Sequence, residues 1–276
     1  MKVADPQFDF LCGLLRRRTG VCIDQSKQYL VVARLMPIVR MRKIPSLETL
    51  IDRVRQGVDP SLERDVLHAM MTHETSFFRD RAPFETLHRV LADLVPKRSA
   101  ERQLTLWSAA CSTGQEPFSI AMLLHEHFRD LLGSWRVRII ATDISEPILA
   151  RAREGLFSDL ETNRGLPPAL LRKYFRPLQG RWSIVQECRD LVEFRALNLS
   201  GTWPPMPLAD VVFLRNVMLY FDVSTRAALV QRVRRVLKPD GALFLGGAET
   251  MIGIDDGYER VAAAGCSFYR PKSRPR

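Results

Sequence analysis

Apolar residues recur three and four positions apart through the first part of the chain, then in short strand-like runs from about Leu104 onward. Phe8, Leu11, Leu14 and Leu15 form one helical stripe. After the turn Thr19-Gly20-Val21, a second helix is expected from about Lys27, with Leu30, Val31, Leu35, Ile38 and Val39 on its apolar side. Pro37 falls inside it and should kink or split it, because proline removes one backbone donor and crowds the preceding turn. Ser46 reads as the N-cap of a third helix ending at Gly57, and Ser61 as the opening of a fourth. The later pattern predicts strands at 104–108, 137–142, 191–196, 210–214, 242–245 and 267–270, with helices at 117–129, 147–154 and 225–237. Such alternation implies a mainly parallel sheet with helices on both faces. Lys238-Pro239-Asp240-Gly241 reads as a turn before the fifth strand. Residues 156–190 interrupt the alternation with a short helix at 168–174 and a hairpin around Gln179-Gly180-Arg181. The division expected is a helical domain over 1–74 and an α/β domain over 75–276, the latter including a linker at 75–100 and an inserted subdomain at 156–190.

Composition narrows the setting. The chain has 276 residues, 46% hydrophobic and 26% charged, ordinary for a globular protein with ample core. No apolar run reaches the roughly 20 residues a membrane span requires, so membrane insertion is not expected. The start, MKVADPQFDF, lacks the apolar core of a signal peptide. Five scattered cysteines without a C-x-x-C pair point to a reducing cytoplasm and to no metal site. The net charge of +10 suggests an acidic partner: nucleic acid, an anionic membrane or an acidic protein. Arg16, Arg17, Arg18, Arg34, Arg40, Arg42 and Lys43 crowd the early helices, as a solvated face or as a docking surface for an acidic helix.

The chemistry concentrates in two segments, SAACSTGQEP at 108–117 and ATDIS at 141–145. Together they form a strand, a loop of small residues, a helix with Pro117 in its first turn, and a second strand ending at Asp143. Small residues let backbone amides approach a ligand, and a carboxylate at that strand end suits the hydroxyls of a ribose. The loop has one glycine, Gly114, where the dinucleotide fingerprint has three, and no Gly-Lys-Ser/Thr follows. Glu116 would repel a pyrophosphate but attract a cofactor carrying an ammonium and a sulfonium, which favours S-adenosylmethionine. Cys111 reads as a small turn residue rather than a nucleophile. Three further segments stand out: MTHETSFFRD at 71–80, RALNLS at 195–200 and FLRNVMLYFD at 213–222. Asn198 could meet an adenine edge or simply shape a turn, and Arg215, Asn216 and Tyr220 fall where open α/β sheets bind ligands.

With LKPDGALFLGGAE at 237–249, these motifs resemble, in order and spacing, the CheR family of chemotaxis-receptor glutamate O-methyltransferases, over about residues 8–269. The resemblance implies an all-α N-terminal domain followed by a class I S-adenosylmethionine-dependent methyltransferase domain, Rossmann-like with a mainly parallel sheet and a small inserted β-subdomain. It implies that Thr75 and Arg79 line the cofactor site, that Glu116 holds the methionyl amino group, and that Asp143 holds the ribose. Asn198 and Leu199 would flank the adenine, Arg215 and Asn216 would close the pocket, and Tyr220 would lie beside the methyl group. His73 occupies a cofactor position where relatives often carry asparagine. The implied substrate is a glutamate on the cytoplasmic helical bundle of a chemoreceptor, the co-product S-adenosylhomocysteine, with Arg79 and Tyr220 as catalytic residues that orient the carboxylate. Some members tether to a receptor's C-terminal pentapeptide; RPLQGR between Phe175 and Trp182 is short and glycine-poor, so no tether is expected to be required here. Amino-methylating nucleic-acid enzymes would place Asp/Asn-Pro-Pro-aromatic where Arg215-Asn216-Val217 stands, and Pro204-Pro205 precedes the strand. A non-catalytic cofactor sensor would have lost Glu116, Asp143 or Arg79, and all three are present.

Overall fold

The computed structural model describes residues 4–263 and 265–272. The chain divides into two compact units: Met1–His73 with Tyr220–Thr225, and Glu74–Leu219 with Arg226–Arg276.

The first unit contains α1 (Asp5–Thr19), α2 (Gln28–Met41), α3 (Leu47–Gln56) and α4 (Pro60–Met70) around a core that includes Phe8, Leu11, Leu15, Leu35, Leu50, Ile51 and Val66. Ser46 caps α3, its hydroxyl accepting from the Thr49 amide at 3.1 Å, and Gly57 ends the helix. Two expectations need correction. Of the two outcomes expected of Pro37, a kink or a split, the split does not occur: α2 runs unbroken, with Leu35, Ile38 and Val39 on both sides of it buried in one core. Asp59, not Ser61, caps α4: its Oδ1 accepts from the Ser61 amide at 2.8 Å, which leaves Pro60 at the first helical position, where its missing N–H costs nothing. The segment Tyr220–Thr225 completes this unit. The Cys22 amide donates to the Tyr220 carbonyl at 2.8 Å, Val21 bridges Phe221, and Arg16 pairs with Asp222 at 2.6 Å. Arg18 pairs with Glu63 and Arg42 with Asp65, so part of the basic face is neutralised from within.

The second unit opens with α5 (Ala82–Leu94), β1 (Gln103–Ala109), α6 (Gln115–His127), α7 (Arg129–Leu132), β2 (Arg136–Asp143) and α8 (Glu146–Glu154). The insertion follows as β3 (Leu156–Phe157), α9 (Asp159–Asn163), α10 (Pro168–Tyr174), β4 (Phe175–Leu178), β5 (Arg181–Ile184) and α11 (Gln186–Asp190). The chain then forms β6 (Val192–Ala196), β7 (Ala209–Leu214), α12 (Val223–Val236), β8 (Leu237–Leu245), β9 (Tyr258–Ala263) and β10 (Cys266–Pro271). The main sheet has the order β6-β2-β1-β7-β8-β10-β9, its first five strands parallel and the last two pairings antiparallel. The inserted residues form a separate antiparallel sheet, β3-β5-β4, whose hairpin turns at Gln179 and Gly180.

Three features depart from the sequence reading. The stretch taken as a linker contains α5, whose Phe84, Leu87, Val90, Leu91 and Leu94 are buried in the same core as Leu104 and Leu106 of β1. Residues 238–241 do not precede the strand but lie inside β8 as a bulge: Ala209 faces Leu237 while Val211 faces Ala242. Ion pairs to the buried Arg98 and Asp210 pin it there. Arg98 donates to Asp210 at 2.6 Å and to Asp240 at 2.5 Å, and Lys238 reaches Asp210 at 3.0 Å. Finally, β9 lies at the sheet edge with several exposed residues, so its apolar alternation is too weak to read.

Candidate active site

Strand order reverses at β1, with β2 on one side and β7 on the other, and at such a switch point the loops leaving the carboxyl ends part to form a crevice. The loop after β1 is shaped by left-handed residues: Ala110 at φ +60°, Ser112 at +51° and Gly114 at +95°. A side chain at Gly114 would be strained by that φ and would press on Phe118 at 3.1 Å. The Cys111 amide donates to the Thr142 carbonyl at 2.8 Å and so fastens the loop to the end of β2. Burial, and then the charges of Asp143 and Glu116, push the Cys111 thiol well above its ordinary pKa; it is a neutral turn residue, not a nucleophile.

Asp143 ends β2 and is buried. Its Oδ2 accepts from the Ser112 amide at 2.9 Å and its Oδ1 from the Ser145 amide at 3.0 Å. A carboxylate oxygen takes two hydrogen bonds, so this fixed orientation leaves acceptor capacity on both atoms. Glu116, in the first turn of α6, is held between the Ser108 hydroxyl at 2.8 Å and Arg215 Nη1 at 2.9 Å. The Arg215 side chain is only 1% exposed. Its Nη2 donates to Asp80 Oδ2 at 2.7 Å and to the Arg79 carbonyl at 2.9 Å. One guanidinium therefore serves two carboxylates, and Asp143 adds a third negative charge close enough for Cys111 to sense both it and Glu116. The excess of negative charge fits a cationic ligand and not a pyrophosphate.

The segment bearing Thr75 and Arg79 is under backbone strain. Phe78, Asp80 and Arg81 have φ of +46°, +68° and +47°, and non-glycine residues in that region cost about 1–3 kcal/mol each. Arg215 grips the strained stretch through Asp80 and the Arg79 carbonyl, and Ser119 Oγ accepts from the Phe78 amide at 3.0 Å. Arg79 Nη1 donates to the Glu74 carbonyl at 3.0 Å, and Thr75 is half-buried. After β6, Asn198 makes a turn, its Oδ1 accepting from the Ser200 amide at 3.0 Å and the Ser200 hydroxyl at 2.8 Å. Leu199 is buried and its carbonyl accepts from Arg232 at 2.7 Å. After β7, Asn216 is left-handed at φ +58°. His73 and Tyr220 belong to the first unit, where the His73 ring lies 5.1 Å from that of His68. Thr75, Arg79, Glu116, Asp143, Asn198, Leu199, Arg215 and Asn216 all belong to the second.

Two residues escape sequence reasoning. Asp80 closes the motif that contains Arg79, yet its pairing with Arg215 joins positions far apart in the chain. Glu249 follows Gly246-Gly247-Ala248 at the end of β8, and its carboxylate accepts from the amides of Asn216, Val217, Met218 and Gly246. An acid two residues after paired glycines at a strand end is the signal that could have marked it. Asp80 and Glu249 border one cavity of about 490 Å³. Among the described residues no cluster of histidine, cysteine, aspartate and glutamate is arranged to hold a metal, and no helix is long and apolar enough to cross a membrane.

Comparison with known proteins places these features in a family. Residues 6–72 match the all-alpha domain of CheR methyltransferases, and residues 73–265 match the CheR methyltransferase SAM-binding domain. Chemotaxis protein methyltransferase 1 of Pseudomonas aeruginosa is 38% identical over 99% of this chain and 100% of its own length. Chemotaxis protein methyltransferase Cher2 of Pseudomonas putida is 36% identical over the same shares, and Chemotaxis protein methyltransferase 1 of Vibrio cholerae is 36% identical over 98% of each chain. Carboxylates gathered at the switch point of the sheet and likeness along the whole sequence agree: the chain belongs to the CheR family of S-adenosylmethionine-dependent chemotaxis methyltransferases.

Proposed function

We propose that the protein esterifies specific glutamate side chains on the cytoplasmic helical bundle of chemoreceptors, working in the cytoplasm. The observation that carries this reading is the surplus of carboxylate around Arg215, which suits a cofactor with a positive sulfur and a positive amino group. When bound, S-adenosylmethionine supplies a methyl group made electrophilic by that sulfur. Glu116 receives the amino group, Asp143 the ribose hydroxyls, and Asn198 and Leu199 the adenine. Thr75, Arg215 and Asn216 close the pocket; His73 and Tyr220 take their roles from motif position.

The chemistry asks little acid–base work of the chain. A glutamate with an ordinary pKa of about 4.3 is already ionised at neutral pH. Transfer of the methyl to a carboxylate oxygen would leave the C–S electron pair on sulfur, so no proton would move and the chain need supply no base. The protein must align and desolvate an anion near its own carboxylates, and alignment contributes up to roughly 7–11 kcal/mol in favourable cases. Arg79 positions the substrate carboxylate, and Tyr220 orients one oxygen with a single hydrogen bond. The exposed Arg17, Arg40 and Lys43 are the cations through which the helical unit attracts an acidic receptor helix. The tight turn at Gln179 and Gly180 supports independence from a pentapeptide tether, so titration with such a peptide should release no heat.

The deciding experiment incubates the purified protein with methyl-labelled cofactor and receptor-bearing membranes. Label released by mild alkali from a receptor glutamate is expected. Alkali-stable label, or label lost on nuclease treatment, would refute the proposal.

A further inference from the structure

The amides of Asn216, Val217 and Met218, three in a row, converge on one carboxylate. Glu249 Oε2 accepts from Asn216 at 2.7 Å and Oε1 from Val217 at 2.9 Å and Met218 at 2.7 Å. Gly246 adds a fourth amide at 2.7 Å to Oε2. Successive amides that turn toward one point form a concavity for an anion, and a left-handed residue is what turns them; here that residue is Asn216. Such concavities commonly receive a ligand phosphate. In this protein the anion is built in. The approach is close enough that a side chain at Gly246 would come within 2.8 Å of both the Asn216 amide and Glu249 Oε2.

The fastened loop is flanked by the groups that shape the pocket. Arg215 immediately precedes it and holds Glu116, Asp80 and the Arg79 carbonyl. Without the carboxylate, three N–H dipoles would face one another, and the left-handed turn at Asn216 would lose its reason to persist. The loop would relax, and Arg215 would lose its fixed starting point.

We propose that Glu249 is a positioning residue: an internal anion that holds the loop after β7 in its cofactor-binding shape and acts through Arg215. This rests on the cofactor placement proposed above. The test is calorimetry with S-adenosylhomocysteine, which needs no receptor. Glu249→Gln keeps the shape but turns an NH2 toward at least two of the amides, and should weaken product binding tenfold or more. Glu249→Asp keeps the charge on a shorter arm and should lose less, about threefold. If the glutamine variant does not fold, the aspartate variant decides by the same criterion. Either folded variant binding with wild-type affinity overturns the proposal. In an Arg215→Ala background, Glu249→Gln should cost little more; fully additive losses overturn action through Arg215, a distinction that a merely structural role would not produce. Failure of the wild-type protein to bind the product would instead overturn the cofactor placement itself.

Discussion

Arg232 offers a quantitative test of the proposal that the loop after β6 receives the adenine. Its guanidinium donates to the carbonyls of Leu199 and Gly201 and lies 4.8 Å from the Trp203 ring centre. Trp203 meets Trp107 of β1 edge-on at 5.2 Å, and Trp107 Nε1 donates to Thr142 of β2 at 3.0 Å. One side chain thus ties the loop after β6 to the ends of β1 and β2. Its acceptors are neutral, and burial pulls its pKa below the usual arginine value. Arg232→Met keeps the apolar stem and removes the donors. The two hydrogen bonds to the loop contribute about 1.5–3 kcal/mol each, the longer one from Nε to the Ala228 carbonyl less, and the cation over an indole about 0.5–1. Against this stands the desolvation of a half-buried cation, so the net destabilisation should be about 2 kcal/mol, a fall of roughly 4–8 °C in melting temperature. Because the loop carries Asn198 and Leu199, affinity for S-adenosylhomocysteine should fall several-fold, and tryptophan emission should shift to the red as Trp203 loosens. Calorimetry and fluorescence measure both. A variant that melts at the lower temperature but binds product normally, with unchanged emission, would show that the loop does not form the adenine site.

Other outcomes follow from the same geometry. Asp143→Ala should weaken cofactor binding by at least tenfold, since it removes both carboxylate oxygens proposed to receive the ribose; unchanged calorimetric affinity counts against that role. Arg79→Ala should lower kcat on intact receptor far more than it raises the cofactor Kd, and full turnover in that variant would reject its task. Arg98 holds the Asp240 carboxyl below its ordinary pKa of 3.8. Its contribution is therefore complete above pH 3.8 and lost as pH falls through that value toward the lowered one. Urea unfolding between pH 5 and 2.5 should show a shallower loss of stability for Asp240→Asn than for wild type; parallel curves would contradict the pairing. Exposed Cys22 should react with iodoacetamide long before buried Cys111, whose thiol burial keeps protonated, and before Cys12, pushed up to about 11. Mass mapping showing early modification of Cys111 would undo its assignment as a turn residue.

What the sequence made legible was local. The strand ending at Asp143, the small-residue loop with its one glycine, and the helix opening at Glu116 depend on neighbours in the chain, so their pattern was visible. Strands such as β1 and β7 are buried along most of their length and stand out as apolar runs. What remained hidden was set at long range. Asp80 finds Arg215, Glu249 finds Asn216, and Arg98 finds Asp210 across more than thirty positions in every case, and spacing does not encode such pairings. Pro37 shows the converse: the helix break its local rule allows does not occur where the residues around it are packed in one core. Helix α5 is legible as well: Phe84, Leu87, Val90, Leu91 and Leu94 carry a plain amphipathic period inside the stretch read as a linker.

The helical unit is discontinuous in the chain, and this has a consequence for its biogenesis. Arg16 and Cys22 meet Asp222 and Tyr220 roughly 200 residues later. At about 5–20 residues per second, the ribosome takes some 10–40 s to deliver that closing segment. Throughout that interval the newborn bundle lacks its last piece, so it is during translation, more than after it, that this unit should depend on chaperones.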